Sequence, residues 1–136
     1  MTALTPHEAL IYAMVMASAV DRTMSDGELA RIGEIVQHLP VFDGFDPERL
    51  IAVAQDCTAL VSGNEGLDIA LEIIRDTLPP RLRDTAYALA VEIVAADRRV
   101  VAEELRLLQL LRDRLALDKL TAAAIERSAE ARYRPL

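Results

Sequence analysis

Tryptophan is absent from this chain of 136 residues, and its aromatic content stops at three tyrosines and two phenylalanines. An aromatic-cored sheet is therefore disfavoured, and an apolar half made mainly of Ala, Leu, Ile and Val points to close-packed helices. Cysteine is nearly missing too: Cys57 is alone and cannot close an internal disulfide, so nothing points to an oxidising compartment. With Asp56, Thr58 and Ala59 as neighbours and no His beside it, Cys57 reads as a small packed residue. Positive charge is outweighed, leaving a formal net charge of −7, which argues against nucleic acid, whose binding draws on Lys and Arg at phosphates. No stretch approaches the ~18 uninterrupted apolar residues of a membrane span. The first apolar run has no basic segment before it and is interrupted by His7, Glu8 and Asp21, so no signal peptide is expected and a soluble cytoplasmic protein is. Chain length predicts one domain over residues 1–136.

Helix starts punctuate the chain. Thr5-Pro6-His7-Glu8 offers an N-cap, a proline at the first helical position and a Glu placed to close a capping box. The helix that follows is apolar nearly all round to about Asp21, and so should be central. Ser25-Asp26-Gly27-Glu28 opens a second helix with a stripe of Leu29, Ile32, Ile35, Val36 and Leu39, ended by Pro40. Phe42 and Phe45 are expected to seal the next loop, and Asp46-Pro47-Glu48 starts a third helix reaching about Val61. Ser62-Gly63-Asn64-Glu65 repeats the capping-box spacing before a fourth helix, and Pro79-Pro80 precedes a fifth that runs to Ala96. A sixth, from about Ala102 to Leu115, carries a predicted stripe of Leu105, Leu108, Leu111 and Leu115, and Asp118 caps a seventh ending near Arg132. No segment alternates with a strand period. The predicted fold is an all-α bundle of about seven helices.

A shift of 76 residues superposes two parts of the chain: Val15 on Val91, Asp21 on Asp97, Arg22 on Arg98, Glu28 on Glu104, Leu29 on Leu105 and Leu39 on Leu115. Aliphatic matches come cheaply in so Ala- and Leu-rich a chain, but Asp-Arg-x-apolar-x-x-x-Glu-Leu does not recur so easily. The reading is two pseudo-symmetric helix pairs, flanking a central pair made by the third and fourth helices. In each copy one carboxylate ends a helix and another, seven residues on, stands in the first turn of the next. If the copies meet about a pseudo-two-fold axis, Asp21, Glu28, Asp97 and Glu104 share one acidic patch, with Asp26 and Glu103 at its rim. Oxygen donors of this kind suit hard cations such as Ca²⁺ or Mg²⁺. Two carboxylates ~4 Å apart repel by about 4 kcal/mol at an effective dielectric of ~20, so the cluster needs a counter-charge.

That counter-charge is a metal or the arginines. Arg22 and Arg98 could pair with Glu28 and Glu104 in a structural network, and the Ser25/Glu28 capping box and the helix dipole account for acidic residues in a first turn with no ligand at all. The turn is not an EF-hand: with Asp21 as its first position, Asp26 stands where that loop wants Gly and Ile32 where it wants Glu. His7 and His38 belong to no zinc or di-iron spacing, and there is no Gly-rich phosphate loop and no nucleophile elbow.

Ala19-Val20-Asp21 with Met24, Ser25 and Glu28, and Ala95-Ala96-Asp97 with Val100 and Glu104, together resemble the tellurite-resistance TerB family, in which an Ala-rich helix ends in Ala-Asp-Gly, with a Glu early in the following helix, in both halves. The chain departs from that pattern where Arg22 and Arg98 replace the Gly. The resemblance implies an all-helical fold, a link to tellurite resistance and stress responses, and acidic residues suggested to bind metal. The functional expectation is a non-enzymatic module that binds a divalent cation, or protein partners of a stress-response assembly, through its acidic turns. The alternatives are a metal-assisted hydrolase and a purely structural helical scaffold.

Overall fold

The computed structural model describes residues 3–18, 24–97 and 100–136. Among them are seven α-helices and no strand: α1 (Pro6–Ser18), α2 (Asp26–His38), α3 (Leu50–Ser62), α4 (Gly66–Thr77), α5 (Arg83–Ala96), α6 (Ala102–Arg114) and α7 (Lys119–Arg132). The all-α bundle expected from periodicity is what forms. No helix among the described residues is long and apolar enough to cross a membrane.

Helix α1 starts as its sequence dictates. The Thr5 N–H donates to Glu8 Oε1 at 2.8 Å and the Glu8 N–H to Thr5 Oγ1 at 3.2 Å, so two of the helix's unmatched donors are satisfied reciprocally. From Ala9 to Ser18 every residue of α1 is buried. A helix that is apolar on all sides has to be enclosed on all sides, and α1 packs against α2, α3, α4, α5 and α6. Its most extensive contact is with α5, its counterpart in the repeat, which buries Ala86, Tyr87, Leu89, Ala90, Val91, Ile93 and Val94. The centre of the bundle is thus the α1–α5 pair, not the α3–α4 pair expected from chain order. Helices α3 and α4 pack on α1, while α7 packs on α5. Fully burying one Leu, Ile or Met side chain stabilises a fold by about 1.5–3 kcal/mol, and α1 alone buries Leu10, Ile11, Met14 and Met16.

Local signals were obeyed at most other junctions. Ser25 and Glu28 form their capping box, with Ser25 N–H to Glu28 Oε1 at 2.9 Å and Glu28 N–H to Ser25 Oγ at 3.2 Å. Asp46 caps the chain ahead of α3, although the first turn after it, Pro47–Arg49, is a 3-10 turn. Asp118 caps α7, and the bond from the Thr121 N–H leads the interactions that hold the Asp118 carboxyl below its usual range. Phe42 and Phe45 are buried and, as expected, close the loop after α2, with His7 stacked on Phe42 and its Nε2 2.9 Å from the Val41 carbonyl oxygen. Cys57 is fully buried and hydrogen-bonds the Tyr12 carbonyl, and burial pushes its thiol up to about 12.

Two expectations fail for packing reasons. Ser62 and Glu65 form no capping box: Ser62 Oγ donates back to the Thr58 carbonyl, and Glu65 takes the left-handed conformation at φ 57° with no side-chain cap. The turn is set instead by the close approach of α4 to the end of α3, where a Cβ on Gly66 would lie 2.1 Å from the Leu60 carbonyl oxygen. In α6 the predicted stripe holds at Leu108 and Leu111 but fails at Leu105, which is 57 % exposed, while Glu104 and Leu107 face inward beside them. Leu115 is buried as expected.

Charged side chains tie the outer helices together. Arg114 of α6 bonds to Asp68 and, at 2.8 Å, to Glu72 on α4, and Arg132 of α7 meets Glu92 of α5 at 2.8 Å. Exposed pairs of this sort contribute about 0–1 kcal/mol each.

Three variants test the packing and the caps. Gly66→Ala should lower stability by about 1–3 kcal/mol in thermal melts, because the added methyl meets backbone and not a movable side chain. Gly33→Ala, whose Cβ would meet only Leu50 Cδ2 at 3.7 Å in the middle of α2, should raise it by roughly 0.5–1 kcal/mol. At Glu8, burial raises the carboxyl, but the Thr5 bonds and Arg49 outweigh it and hold the group below its ordinary 4.5. The unfolded chain then binds this proton more readily, so the stabilisation is complete above about pH 4.5 and is lost as pH falls through the lower folded value. The melting-temperature gap between wild type and Glu8→Gln should close over that interval.

Candidate functional site

The two helix–turn–helix repeats meet at one end of the α1–α5 pair. A cavity of about 280 Å³ opens there, lined by Ser18 of α1, Ser25, Glu28 and Arg31 around the start of α2, Ile93, Ala96 and Asp97 at the end of α5, and Glu104 of α6. Of the six acidic residues singled out in the sequence, Glu28, Asp97 and Glu104 share this cavity. Asp26 and Glu103 are exposed in the first turns of their helices and do not line it. Asp21, and with it the proposed pairing partners Arg22 and Arg98, lies outside the described residues.

Each glutamate sits where it does because its helix needs it. Glu28 closes the Ser25 box, and Glu104, its counterpart in the repeat, accepts the Val101 N–H at 3.0 Å. The second copy is half a box, since Val101 has no side-chain oxygen with which to return the bond. Glu104 nevertheless is only 4 % exposed, whereas Glu28 is half-buried. A buried carboxylate is costly unless bonded, and none of the three acids stands unpaired. Asp97 ends α5, its N–H bonded to the Val94 carbonyl at 3.1 Å.

Two residues of this cavity were not anticipated. Ser18 is 4 % exposed, and its Oγ has no hydrogen-bond partner among the described residues. An orphaned hydroxyl in a buried place costs free energy, and here it borders an acidic cavity. The signal was available, since Ser18 is the lone hydroxyl in the otherwise apolar run from Ala9 to Val20 apart from the tip of Tyr12. Arg31 brings a positive charge to the same cavity, one helical turn beyond Glu28. Arg31 carries no signal in the repeat, since the 76-residue shift places it on Leu107.

The donor atoms are all oxygens, which suits a hard cation and not zinc. Among the described residues, however, no three His, Cys, Asp or Glu side chains stand close enough together to hold one metal ion. The three carboxylates line a space without converging on a point within it.

Removing the buried carboxylate should separate the two copies' roles. Glu104→Ala is expected to cost roughly 1–2 kcal/mol through the lost cap to Val101, while Glu103→Ala, exposed beside it, should change stability by less than about 0.5 kcal/mol in denaturant titrations.

Comparison with known proteins gives one match. A family model described as "Tellurite resistance protein TerB" matches residues 7–127, which span the start of α1 to the middle of α7 and include both acidic turns. No curated protein and no solved structure matches the chain. With most of its length under that model and an all-helical duplicated fold, this chain belongs to the TerB family.

Proposed function

We propose that this chain is a non-enzymatic TerB-like module whose paired acidic turns bind a divalent cation, Ca²⁺ or Mg²⁺, or a basic group of a protein partner, in the setting of tellurite resistance and stress response. The observation that carries this reading is the unsatisfied Ser18 hydroxyl beside Glu28, Asp97 and Glu104 in one cavity drawn from both repeats. Among the described residues, three carboxylates and one guanidinium line this cavity, and each carboxylate has interactions of its own. Since the described carboxylates do not converge on a point, the cation fits as a partly hydrated ion, as Mg²⁺ in particular prefers, with Asp21 as a further ligand in the first copy of the turn. A volume of about 280 Å³ has room for an ion and several waters at ~30 Å³ each. Asp26 and Glu103, exposed on the same two turns, add to the local field that draws a cation in. Arg31 takes part as the resident counter-charge, and a cation must compete with it.

Chelator-treated protein should gain stability on addition of Ca²⁺ or Mg²⁺, about 2.7 kcal/mol at a hundredfold excess over the dissociation constant. In the double variant Asp21→Asn/Asp97→Asn that gain should vanish. Ser18→Ala should raise metal-free stability by roughly 1–3 kcal/mol, since it removes an unsatisfied buried hydroxyl, and should also reduce the metal-dependent gain. An absent shift in the wild type, or an undiminished one in the double variant, would sink the cation reading.

A further inference from the structure

On the other side of the α5–α6 connection lies a second, open cavity, of about 760 Å³, between α5, α6 and α7. Its size falls within the range of about 300–1,000 Å³ typical of small-molecule pockets, which in helical bundles form between helices. Val91 and Val94 of α5, Leu108 of α6 and Ala129 of α7 give it apolar walls. At its buried end Tyr87, 1 % exposed, donates its hydroxyl proton to Glu126 Oε2 at 2.5 Å, and Arg112 Nη1 donates to the same oxygen at 3.1 Å. No hydrogen bond to Glu126 Oε1 is seen among the described residues, and with its side chain 36 % exposed this acceptor stands at a solvent-reached edge of the apolar space. At the other end Val100, Leu105 and Tyr133 are all exposed and all border the opening. A lone exposed leucine needs no explanation, but three large apolar side chains around one opening do.

The charges settle which class of ligand fits. Among the described residues, two guanidinium groups, Arg112 and Arg134, and two carboxylates, Glu126 and Glu130, line the cavity, and Arg112 is already committed to Glu126. A net-charged head group would bring an unpaired charge into a balanced lining, at a desolvation cost. A neutral head with a proton to give needs only Glu126 Oε1. We infer that this cavity binds an uncharged amphipathic small molecule, its aliphatic body against Val91, Val94 and Leu108 and its hydroxyl or amide head donating to Glu126. Burial and the bond to Glu126 keep the Tyr87 phenol protonated well above its ordinary range, so Tyr87 keeps Oε2 occupied and leaves Oε1 for the ligand.

The test uses the full chain with Nile red as reporter and three competitors that share a ten-carbon chain: 1-decanol, decanoate and decyltrimethylammonium. Nile red should bind saturably at one site per chain, and 1-decanol should displace it at concentrations at least tenfold below those of either charged competitor. Ala95→Phe, which fills the cavity from its half-buried wall, should abolish dye binding while the circular dichroism stays helical. Should that variant fail to fold, Leu105→Asp, at an exposed rim position, should weaken binding at least tenfold. Glu126→Gln should weaken 1-decanol about tenfold but leave Nile red, which has no proton to donate, unaffected. The assignment falls if the wild type shows no saturable site, if neither filling nor charging the cavity changes dye binding, or if all three head groups compete equally.

Discussion

The α1–α5 contact is the constraint on which everything else in this fold depends. Each helix comes from one copy of the repeat and is apolar on nearly every side, so neither can be stable unless enclosed. They enclose one another first, and α2, α3, α4 and α6 complete the cover of α1 while α6 and α7 cover α5. Placing the two homologous helices against each other also brings their C-terminal ends, and therefore the two acidic turns, to a common end of the bundle. The acidic cavity is thus a product of core packing: bury α1 against α5, and Glu28, Asp97 and Glu104 come to line one space.

Much of this could be read from residues alone, because the informative positions act locally. Thr5 with Glu8, Ser25 with Glu28, Asp46 and Asp118 satisfy backbone donors within a turn of themselves, and no distant contact can overrule them cheaply. Ser62 and Glu65 show the limit of that logic. Their spacing is right, but the close passage of α4 across the carbonyl of Leu60 decides the turn, and Gly66 is the residue that permits it. Leu105 shows another limit, since α6 offers leucines at 105, 107, 108, 110 and 111 and the choice of inward face depends on neighbours that periodicity does not reveal. At the site, Glu28, Asp97 and Glu104 were legible through the repeat, whereas Ser18 and Arg31 were not, because neither belongs to the repeated motif.

The glutamates of the acidic turns serve helix termini and a shared cavity at once. Glu28 and Glu104 each use Oε1 to close their own helix, which fixes where the rest of the carboxylate stands. Capping and ligand binding are therefore not rivals here: the cap supplies the preorganisation that any ligand of the cavity would otherwise have to provide. The divergence between copies is informative as well. Ser25 completes the first box, while Val101 in the second gives up the hydroxyl, and it is the second glutamate that is buried.

The stretch from Asp97 to Leu105 borders two spaces. Asp97 and Glu104 belong to the acidic cavity, while Val100 and Leu105 belong to the apolar one, so a single connection between α5 and α6 is a wall common to both. Among the described residues, the corresponding turn of the first repeat gives Ser25 and Glu28 to the acidic cavity and none to the other. A common wall makes the two spaces thermodynamic neighbours: an occupant of either that favours one arrangement of this connection changes the free energy of occupying the other, by the same amount in both directions. Among the described residues, then, the second turn of this duplicated fold stands between two chemically unlike spaces, while the first borders one of them.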